Sequence, residues 1–290
     1  MIVLSKNNPK GIIWIASYPR SGNTWTRTFI NALAHIIRDP GFDDVDINRI
    51  EEGSAAESKA ELYTRLLGKP AHRASDAEIA ATRPRVQAGI MRASAGPVLI
   101  KTHNAQAVDY GHPLINMSVS AGAIYIVRNP LDVAISFAHL SGKTIDETIE
   151  AMATPGYGVR TTRDHVRTVT GSWSENVGSW TARPHPVVLV VRYEDLIADP
   201  KRHFGAVARH LLMTPTEEKL ERAIGMTGFE RLQQKEAAAG FDERPDTTTQ
   251  FFRVGKAGQW RDVLSADQVA RVVTAHKPLM RKFGYLPDGM

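Results

Sequence analysis

Residues 11–25 have the sequence GIIWIASYPRSGNTW, and this stretch decides the fold that the chain is predicted to adopt. Gly11–Ser17 is a short, continuous apolar run, as expected of a central parallel strand. A turn containing Pro19 ends the run, and a helix is predicted from residue 21 or 23 to residue 38. A strand, a tight turn and a helix in this order predict the first unit of an α/β fold.

Apolar runs and helical patterns then alternate along the chain. Further buried strands are predicted at 97–101, 123–127 and 187–191, and helices at 129–140, 161–182, 199–212 and 265–283. The stretch 240–260 has little periodicity and is predicted to be a long loop, of a length that is usually functional or mobile. Without an internal repeat or a linker, the expectation is one α/β domain over residues 1–290, with a central parallel sheet flanked by helices.

Composition excludes several classes of protein. Apolar residues make up 42% of the chain and charged residues 23%, which is typical of a globular protein. The absence of cysteine excludes disulfides and Cys-ligated metals. No signal peptide and no apolar run of about 18 residues is visible, so a cytoplasmic protein without a membrane span is predicted. The net charge of +5 is spread without a basic block, which speaks against a nucleic-acid partner.

The turn after the first strand has the composition of a phosphate-binding loop. A helix N-terminus offers free backbone N–H groups and the positive end of the helix dipole to an anion. Relative to the Walker pattern, Gly22 and Thr24 are kept, Ser17 replaces the first glycine and Asn23 replaces the lysine. Arg20 supplies a cation earlier in the loop, which favours a nucleotide with a different phosphate arrangement. An ordinary strand–turn–helix junction is the alternative interpretation.

The segment YPRSGNTW, residues 18–25, resembles the 5′-phosphosulfate loop YPKSGTTW of sulfotransferases that use PAPS (3′-phosphoadenosine 5′-phosphosulfate) and release PAP (3′-phosphoadenosine 5′-phosphate). The resemblance implies a P-loop NTPase-like fold, with Trp25 stacked on the adenine unless its ring is simply core packing. It also implies that the donor is bound by Arg20, Ser21, Gly22, Asn23, Thr24 and Trp25. Arg20 replaces a lysine of the family, which keeps the charge but changes the donor geometry.

Two later segments resemble the 3′-phosphate motifs of the same family. IYIVRNPLDVAISFAHL, residues 124–140, implies that Arg128 and Ser136 bind the 3′-phosphate, although Arg128 could instead form a surface ion pair with Asp132. FRVGKAGQWR, residues 252–261, is similar to RKGxxGDWK and implies contacts from Arg253, Val254 and Gly255. Val254 stands where the family has lysine, so this site loses one cation and would rely on Lys256. A Gly-rich surface loop is the alternative here.

Three further residues are implied near the adenine. Tyr193 lies in RYEDL, which resembles the YEDL segment of the family, and Thr227 and Phe229 lie in MTGFERL, which is similar to TSFxxM. Phe229 could equally be a core aromatic residue. Trp173 and Trp180, seven residues apart, are predicted to be core residues.

Lys101-Thr102-His103 follows a predicted strand and resembles the KTH tripeptide of the family, in which the histidine is the general base. A neutral imidazole can accept the proton of an acceptor hydroxyl at neutral pH. The resemblance implies in-line displacement at sulfur, with Lys101 and Arg20 stabilising the transferring and leaving groups. No metal is expected. A lone histidine at a strand end is otherwise more often structural.

The predicted activity is transfer of a sulfuryl group from PAPS to a hydroxyl, or less favourably an amine, of a small molecule or glycan. The acceptor is not identified by the sequence. A homodimer stays open, because the family's KxxxTVxxxE dimer motif has no clear match after Trp260. Two alternatives are an ATP-dependent P-loop kinase, which would need lysine at position 23, and a non-catalytic nucleotide- or RNA-binding module.

Overall fold

The computed structural model describes residues 10–52 and 54–290. Its strands are β1 (Gly11–Ser17), β2 (Ala55–Ala56), β3 (Pro97–Thr102), β4 (Val108–Asp109), β5 (His112–Pro113), β6 (Ser120–Val127), β7 (Gly158–Val159), β8 (Thr168–Val169) and β9 (Val188–Arg192). Five of them form one sheet in the order β2-β3-β1-β6-β9, and every neighbouring pair is parallel. The other four form two short antiparallel pairs, β4 with β5 and β7 with β8.

Helices connect the strands. They are α1 (Asn23–Arg38), α2 (Ala60–Leu67), α3 (Asp76–Ala93), α4 (Pro130–Ser141), α5 (Ile145–Ala153), α6 (Trp173–Thr181), α7 (Tyr193–Ala198), α8 (Pro200–His210), α9 (Glu217–Met226), α10 (Phe229–Ala239), α11 (Trp260–Val263) and α12 (Ala266–Phe283). Short 3₁₀ turns lie at Ile47–Glu52, Ala71–Arg73 and Met117–Val119. Within the described residues, no helix is both long enough and apolar enough to cross a lipid bilayer.

The sheet is the middle one of three layers. Successive side chains of a strand point to opposite faces, so neighbouring residues of β1 pack in different cores. Trp14 packs in a core with residues of α4, α6 and α12, whereas Ile15 packs with residues of α1 and α8 on the other face. Trp173 and Trp180 lie in the first of these cores, as predicted. The predicted α/β fold with a central parallel sheet is confirmed.

The helix predicted over residues 161–182 is wrong in its first half. Thr168–Val169 is a strand instead, and α6 begins only at Trp173. Gly171 has φ +64°, which an α-helix does not allow. Ser172 and Glu175 then form a capping box that starts the helix. The seven-residue spacing of the two tryptophans is therefore a property of this shorter helix alone.

Candidate active site

The carboxyl edge of the sheet brings the predicted site residues together. Because β3, β1 and β6 are parallel neighbours, the segments that follow them leave the sheet side by side. Ala16 pairs with Thr102 on one side of β1, and Ser17 pairs with Ile126 on the other. The loop after β1 therefore lies between the segment carrying His103 and the segment carrying Arg128.

The phosphate-loop residues form a turn that ends on the N-terminus of α1. Gly22 has φ +99°, and a Cβ there would lie 2.7 Å from the Tyr193 ring, so this position requires glycine. Ser21 is fully buried, and its Oγ has no hydrogen-bond partner within the described residues. A buried hydroxyl without a partner is costly, which makes Ser21 a candidate ligand-binding group.

Asn23 and Thr24 are also buried in this turn. The Asn23 side chain does not face outward: its Nδ2 donates to the carbonyl of Ile15 at 2.9 Å, and its Oδ1 accepts from Nε of Arg27 at 3.1 Å. Asn23 thereby fastens α1 to β1. Only its backbone N–H is left to serve the predicted anion site.

Three arginines gather beside this turn. Nε of Arg20 donates to Oγ of Ser136 at 2.9 Å, and Nη2 of Arg20 donates to the carbonyl of Phe251 at 2.8 Å. Burial, followed by the charge of Arg128, lowers the pKa of Arg20 to about 10. The same two causes lower the pKa of Arg253. Guanidinium groups that repel one another in this way would be stabilised by a bound anion.

Arg128 takes a different partner from the one that the alternative interpretation assumed. Its Nη1 donates to the carbonyl of Arg20 at 2.9 Å, and its guanidinium lies 4.3 Å from the centre of the Tyr193 ring. Asp132 instead accepts from the backbone N–H groups of Gly258 and Trp260, at 2.7 and 3.1 Å. The interpretation of Arg128 as part of a surface ion pair with Asp132 is therefore wrong, because Asp132 is fully buried and binds the backbone of the 252–261 segment.

Most of that segment belongs to a long irregular stretch, residues 240–259, which we call the edge loop. Gly255 has φ +65°, and a Cβ there would lie 2.2 Å from the Phe229 ring, so the loop passes directly over this aromatic side chain. Nη2 of Arg253 donates to Oε1 of Gln259 at 2.9 Å. Val254 is half-buried beside these two residues and adds no charge.

The residues predicted to lie near the adenine also meet at this edge. Nε1 of Trp25 donates to the carbonyl of Thr227 at 2.8 Å. The Trp25 ring packs edge-on against Tyr193, with centroids 5.9 Å apart, and against Phe204 at 5.0 Å. The hydroxyl of Thr227 caps its own helix by donating to the carbonyl of Ala223. Trp25 is thus partly a packing residue, as the alternative interpretation allowed, and it remains half-buried.

His103 is tied to the phosphate loop. Its Nδ1 lies 2.9 Å from the carbonyl oxygen of Ser17. A carbonyl can only accept, so Nδ1 carries the proton and Nε2 keeps its lone pair. Burial, followed by the charge of Lys101, lowers the pKa of His103 to about 3, so the ring is neutral at physiological pH.

Two residues of this site were missed by the sequence interpretation. Glu243 of the edge loop accepts from Nζ of Lys101 at 2.8 Å and from Nη2 of Arg27 at 2.5 and 2.7 Å. Burial acts to raise the pKa of Glu243, but the two cations outweigh it and lower the value to about 2. Arg27 is detectable as the residue one helical turn after Asn23, whereas nothing in the irregular stretch distinguishes Glu243.

Within residues 10–52 and 54–290, no group of three or more His, Asp and Glu side chains is placed to hold a metal ion.

Known proteins resemble this chain over most of its length. Sulfotransferase 1B1 of Canis lupus familiaris is 26% identical over 288 residues, which are 94% of this chain and 84% of that protein. Cytosolic sulfotransferase 17 of Arabidopsis thaliana is 25% identical over 291 residues, which are 94% of this chain and 75% of that protein.

Solved structures share the fold at lower identity. Mouse sulfotransferase SULT7A1 complexed with PAP has a TM-score of 0.61 at 20% identity, over 96% of this chain and 86% of that one. Retinol dehydratase in a complex with retinol and PAP has a TM-score of 0.65 at 20% identity, over 95% of this chain and 83% of that one.

The family model described as the sulfotransferase domain matches residues 10–284. This match decides against the two alternatives, the P-loop kinase and the non-catalytic binding module. The chain belongs to the sulfotransferase family and is an enzyme that transfers a sulfuryl group.

Proposed function

We propose that the sulfuryl donor is PAPS, that the acceptor is a hydroxyl or, less favourably, an amine of a small molecule or glycan, and that His103 is the general base. The observation that carries this proposal is the hydrogen bond from Nδ1 of His103 to the carbonyl of Ser17. It places a neutral imidazole against the first residue of the phosphate loop. The candidate base and the candidate donor site are therefore adjacent.

Two anion sites support a donor with phosphates at both ends of the ribose. Backbone N–H groups of residues 21–25 at the start of α1 would hold the 5′ end. The 3′-phosphate would lie among the arginine side chains, Ser136 and the backbone of Gly255. Arg20 connects the two sites, because its backbone is in the loop and its side chain contacts Ser136. Trp25, Tyr193, Thr227 and Phe229 would surround the adenine.

The proposed step is an in-line displacement at sulfur. The acceptor oxygen forms a bond to sulfur, the bond from sulfur to the 5′-phosphate oxygen breaks, and the acceptor proton passes to Nε2 of His103. Lys101 stabilises the negative charge that grows on the leaving phosphate. The donor's own negative charges raise the proton affinity of His103 once the donor is bound.

The imidazole is tested by replacing His103 with alanine. We expect His103→Ala to lower turnover about a hundredfold, the usual scale for loss of a general base. Binding of PAP, measured by calorimetry, is expected to stay within about twofold, since the imidazole holds no phosphate. His185→Ala removes an exposed histidine and is the matched control. Near-normal turnover of His103→Ala would exclude His103 from the role.

Donor identity is tested separately by nucleotide binding. We expect PAP to bind more tightly than AMP, because only PAP carries the phosphate that the arginines would hold. Equal affinity for the two nucleotides would contradict the proposed 3′-phosphate site. Titration with ATP provides the comparison with a nucleotide that has a longer 5′-phosphate chain.

The acceptor requires a screen. Retinol dehydratase, which shares this fold, is solved in complexes with androsterone and with retinol, which favours a small-molecule acceptor here. Labelled PAPS offered with a panel of phenols, sterols, glycans and amines, followed by mass spectrometry of the product, identifies the class. We also propose a cytoplasmic location, and light scattering of the purified protein decides whether it is a homodimer.

A further inference from the structure

A buried ion pair lies beneath the segment that carries His103. Glu57, directly after β2, and Arg83, in α3, are each 1% exposed. Nη1 of Arg83 lies 2.8 and 2.9 Å from the two carboxylate oxygens of Glu57, and the Tyr63 hydroxyl donates to the same carboxylate at 2.9 Å. Because desolvating both charges cancels much of their attraction, such a pair fixes geometry more than it adds stability.

Asn104, the residue after His103, connects this pair to the active site. Its Nδ2 donates to Oε1 of Glu57 at 2.6 Å, and its Oδ1 accepts from the backbone N–H of Val169 at 2.7 Å. Its backbone carbonyl accepts from Nε1 of Trp180 at 3.0 Å, and its backbone N–H donates to Oγ1 of Thr102 at 3.1 Å. Asn104 is 1% exposed, so water cannot replace these partners. Each of its four polar groups forms a hydrogen bond to a different residue of the protein.

These bonds restrict His103 from its C-terminal side. The carbonyl of His103 also accepts from Nδ2 of Asn176 at 3.0 Å. On the other side of the ring, Nδ1 is held by Ser17. The backbone position of His103 is therefore set by Asn104 and Asn176, and the ring orientation by the phosphate loop.

We propose that Asn104 is a positioning residue for His103, and that the Glu57–Arg83 ion pair acts through Asn104 by holding its amide. This inference rests on the proposed role of His103 as the general base. Glu57 orients the amide so that Nδ2 faces the ion pair and Oδ1 faces Val169. The amide in turn fixes the distance between Nε2 of His103 and the acceptor oxygen.

The first test is Asn104→Ala. We expect kcat to fall about ten- to a hundredfold, the scale on which a small misplacement of a catalytic group acts. The Kd of PAP is expected to stay within about twofold, because Asn104 contacts no predicted donor-binding side chain. Asn116→Ala removes another asparagine that bonds to α3, through the carbonyl of Pro84 at 3.1 Å, and is expected to keep kcat near wild type.

A double substitution separates positioning from a general structural effect. If Asn104 acts through His103, Asn104→Ala causes no further loss of kcat in a His103→Ala background. An equal loss in both backgrounds would overturn this inference while leaving His103 as the base. Wild-type turnover of His103→Ala alone would instead overturn the proposed function.

An exchange of donor and acceptor covers the case in which Asn104→Ala does not fold. Asn104→Asp places a second carboxylate against Glu57, which raises the pKa of one of the two, so kcat is expected to fall at least about tenfold at a pH where both are ionised and repel each other. Adding Glu57→Gln restores a donor–acceptor pair between residues 57 and 104 with a single carboxylate in the cluster, and we expect it to recover most of the lost kcat. Wild-type kcat in Asn104→Asp, or no recovery in the folded double variant, would contradict the role.

Discussion

Glu243→Gln is expected to tighten the binding of PAP while destabilising the protein without ligand. The carboxylate of Glu243 is bound to Lys101 and Arg27, and its side chain is only 18% exposed. The fall of its pKa from the ordinary value of 4.5 to about 2 corresponds to roughly 3 kcal/mol in favour of the ionised form. If about half of this, between about 1 and 2 kcal/mol, comes from Lys101, then in the variant a phosphate that binds Lys101 no longer has to displace Glu243 and gains that amount. PAP should then bind about tenfold more tightly.

Two measurements check this reasoning. Calorimetric titration of PAP gives the change in Kd, and Glu61→Gln, which removes the same charge from an exposed pair with Arg65, is the matched control. Urea unfolding without ligand should show a loss of up to about 3 kcal/mol for Glu243→Gln at pH 7. Because the folded-state pKa of Glu243 is lowered, its stabilising effect is complete above about pH 5 and is lost as the pH falls towards 2. The wild-type protein and Glu243→Gln should therefore become equally stable as the pH approaches 2. Unchanged or weaker PAP binding by Glu243→Gln would refute the competition between Glu243 and the donor.

Three further predictions concern the rest of the site. Gly255→Ala should weaken PAP binding at least about tenfold, because a Cβ there meets the Phe229 ring. The control is Gly240→Ala, a glycine with φ +74° and no atom within 4 Å of an added Cβ, which should lose stability but not PAP affinity. Equal Kd values of PAP for the two variants would contradict the steric cause. Val254→Lys should tighten PAP binding about fivefold at low salt, and this gain should shrink as salt screens the added charge. The control Leu212→Lys adds the same charge at an exposed position and should leave PAP binding unchanged. No gain in PAP affinity for Val254→Lys at low salt would place Val254 outside the phosphate site. Because the pKa of His103 is lowered to about 3 in the protein without donor, kcat/KM for PAPS, which reports that state, should show no loss from protonation of His103 between pH 8 and 5. An acid limb near pH 6 in kcat/KM for PAPS that disappears in His103→Ala would contradict the lowered pKa.

Local patterns were sufficient to predict the elements around the site. The apolar run and Pro-containing turn predict the observed bounds of β1, and the helix predicted at 265–283 matches α12, which starts at a capping box of Ser265 and Gln268. These signals work because each lies within one element. The predicted helix 161–182 is wrong over 161–172, because Gly171 has a positive φ and Ser172 with Glu175 marks the true start.

Contacts between distant segments were not predictable in the same way. Glu243 lies 142 residues from Lys101 and 216 residues from Arg27 in sequence, so no spacing rule relates them. Glu57 reaches Asn104 only because Ala56 of the two-residue strand β2 pairs with Lys101 of β3. The sequence interpretation did not include so short a strand. Pairings of this kind depend on the packed tertiary structure.

The separation in sequence between the segments of the candidate site has a consequence for folding during synthesis on the ribosome. Residues of the candidate site come from β1 and from the edge loop, which follows much later in the chain, and Trp260, whose backbone N–H holds that loop to Asp132, is made only after both. A nascent chain that ends before Trp260 would carry the phosphate loop but lack the contact that holds the edge loop to Asp132. A nucleotide bound across these segments should slow proteolysis of the whole domain, because the open form would have to release it.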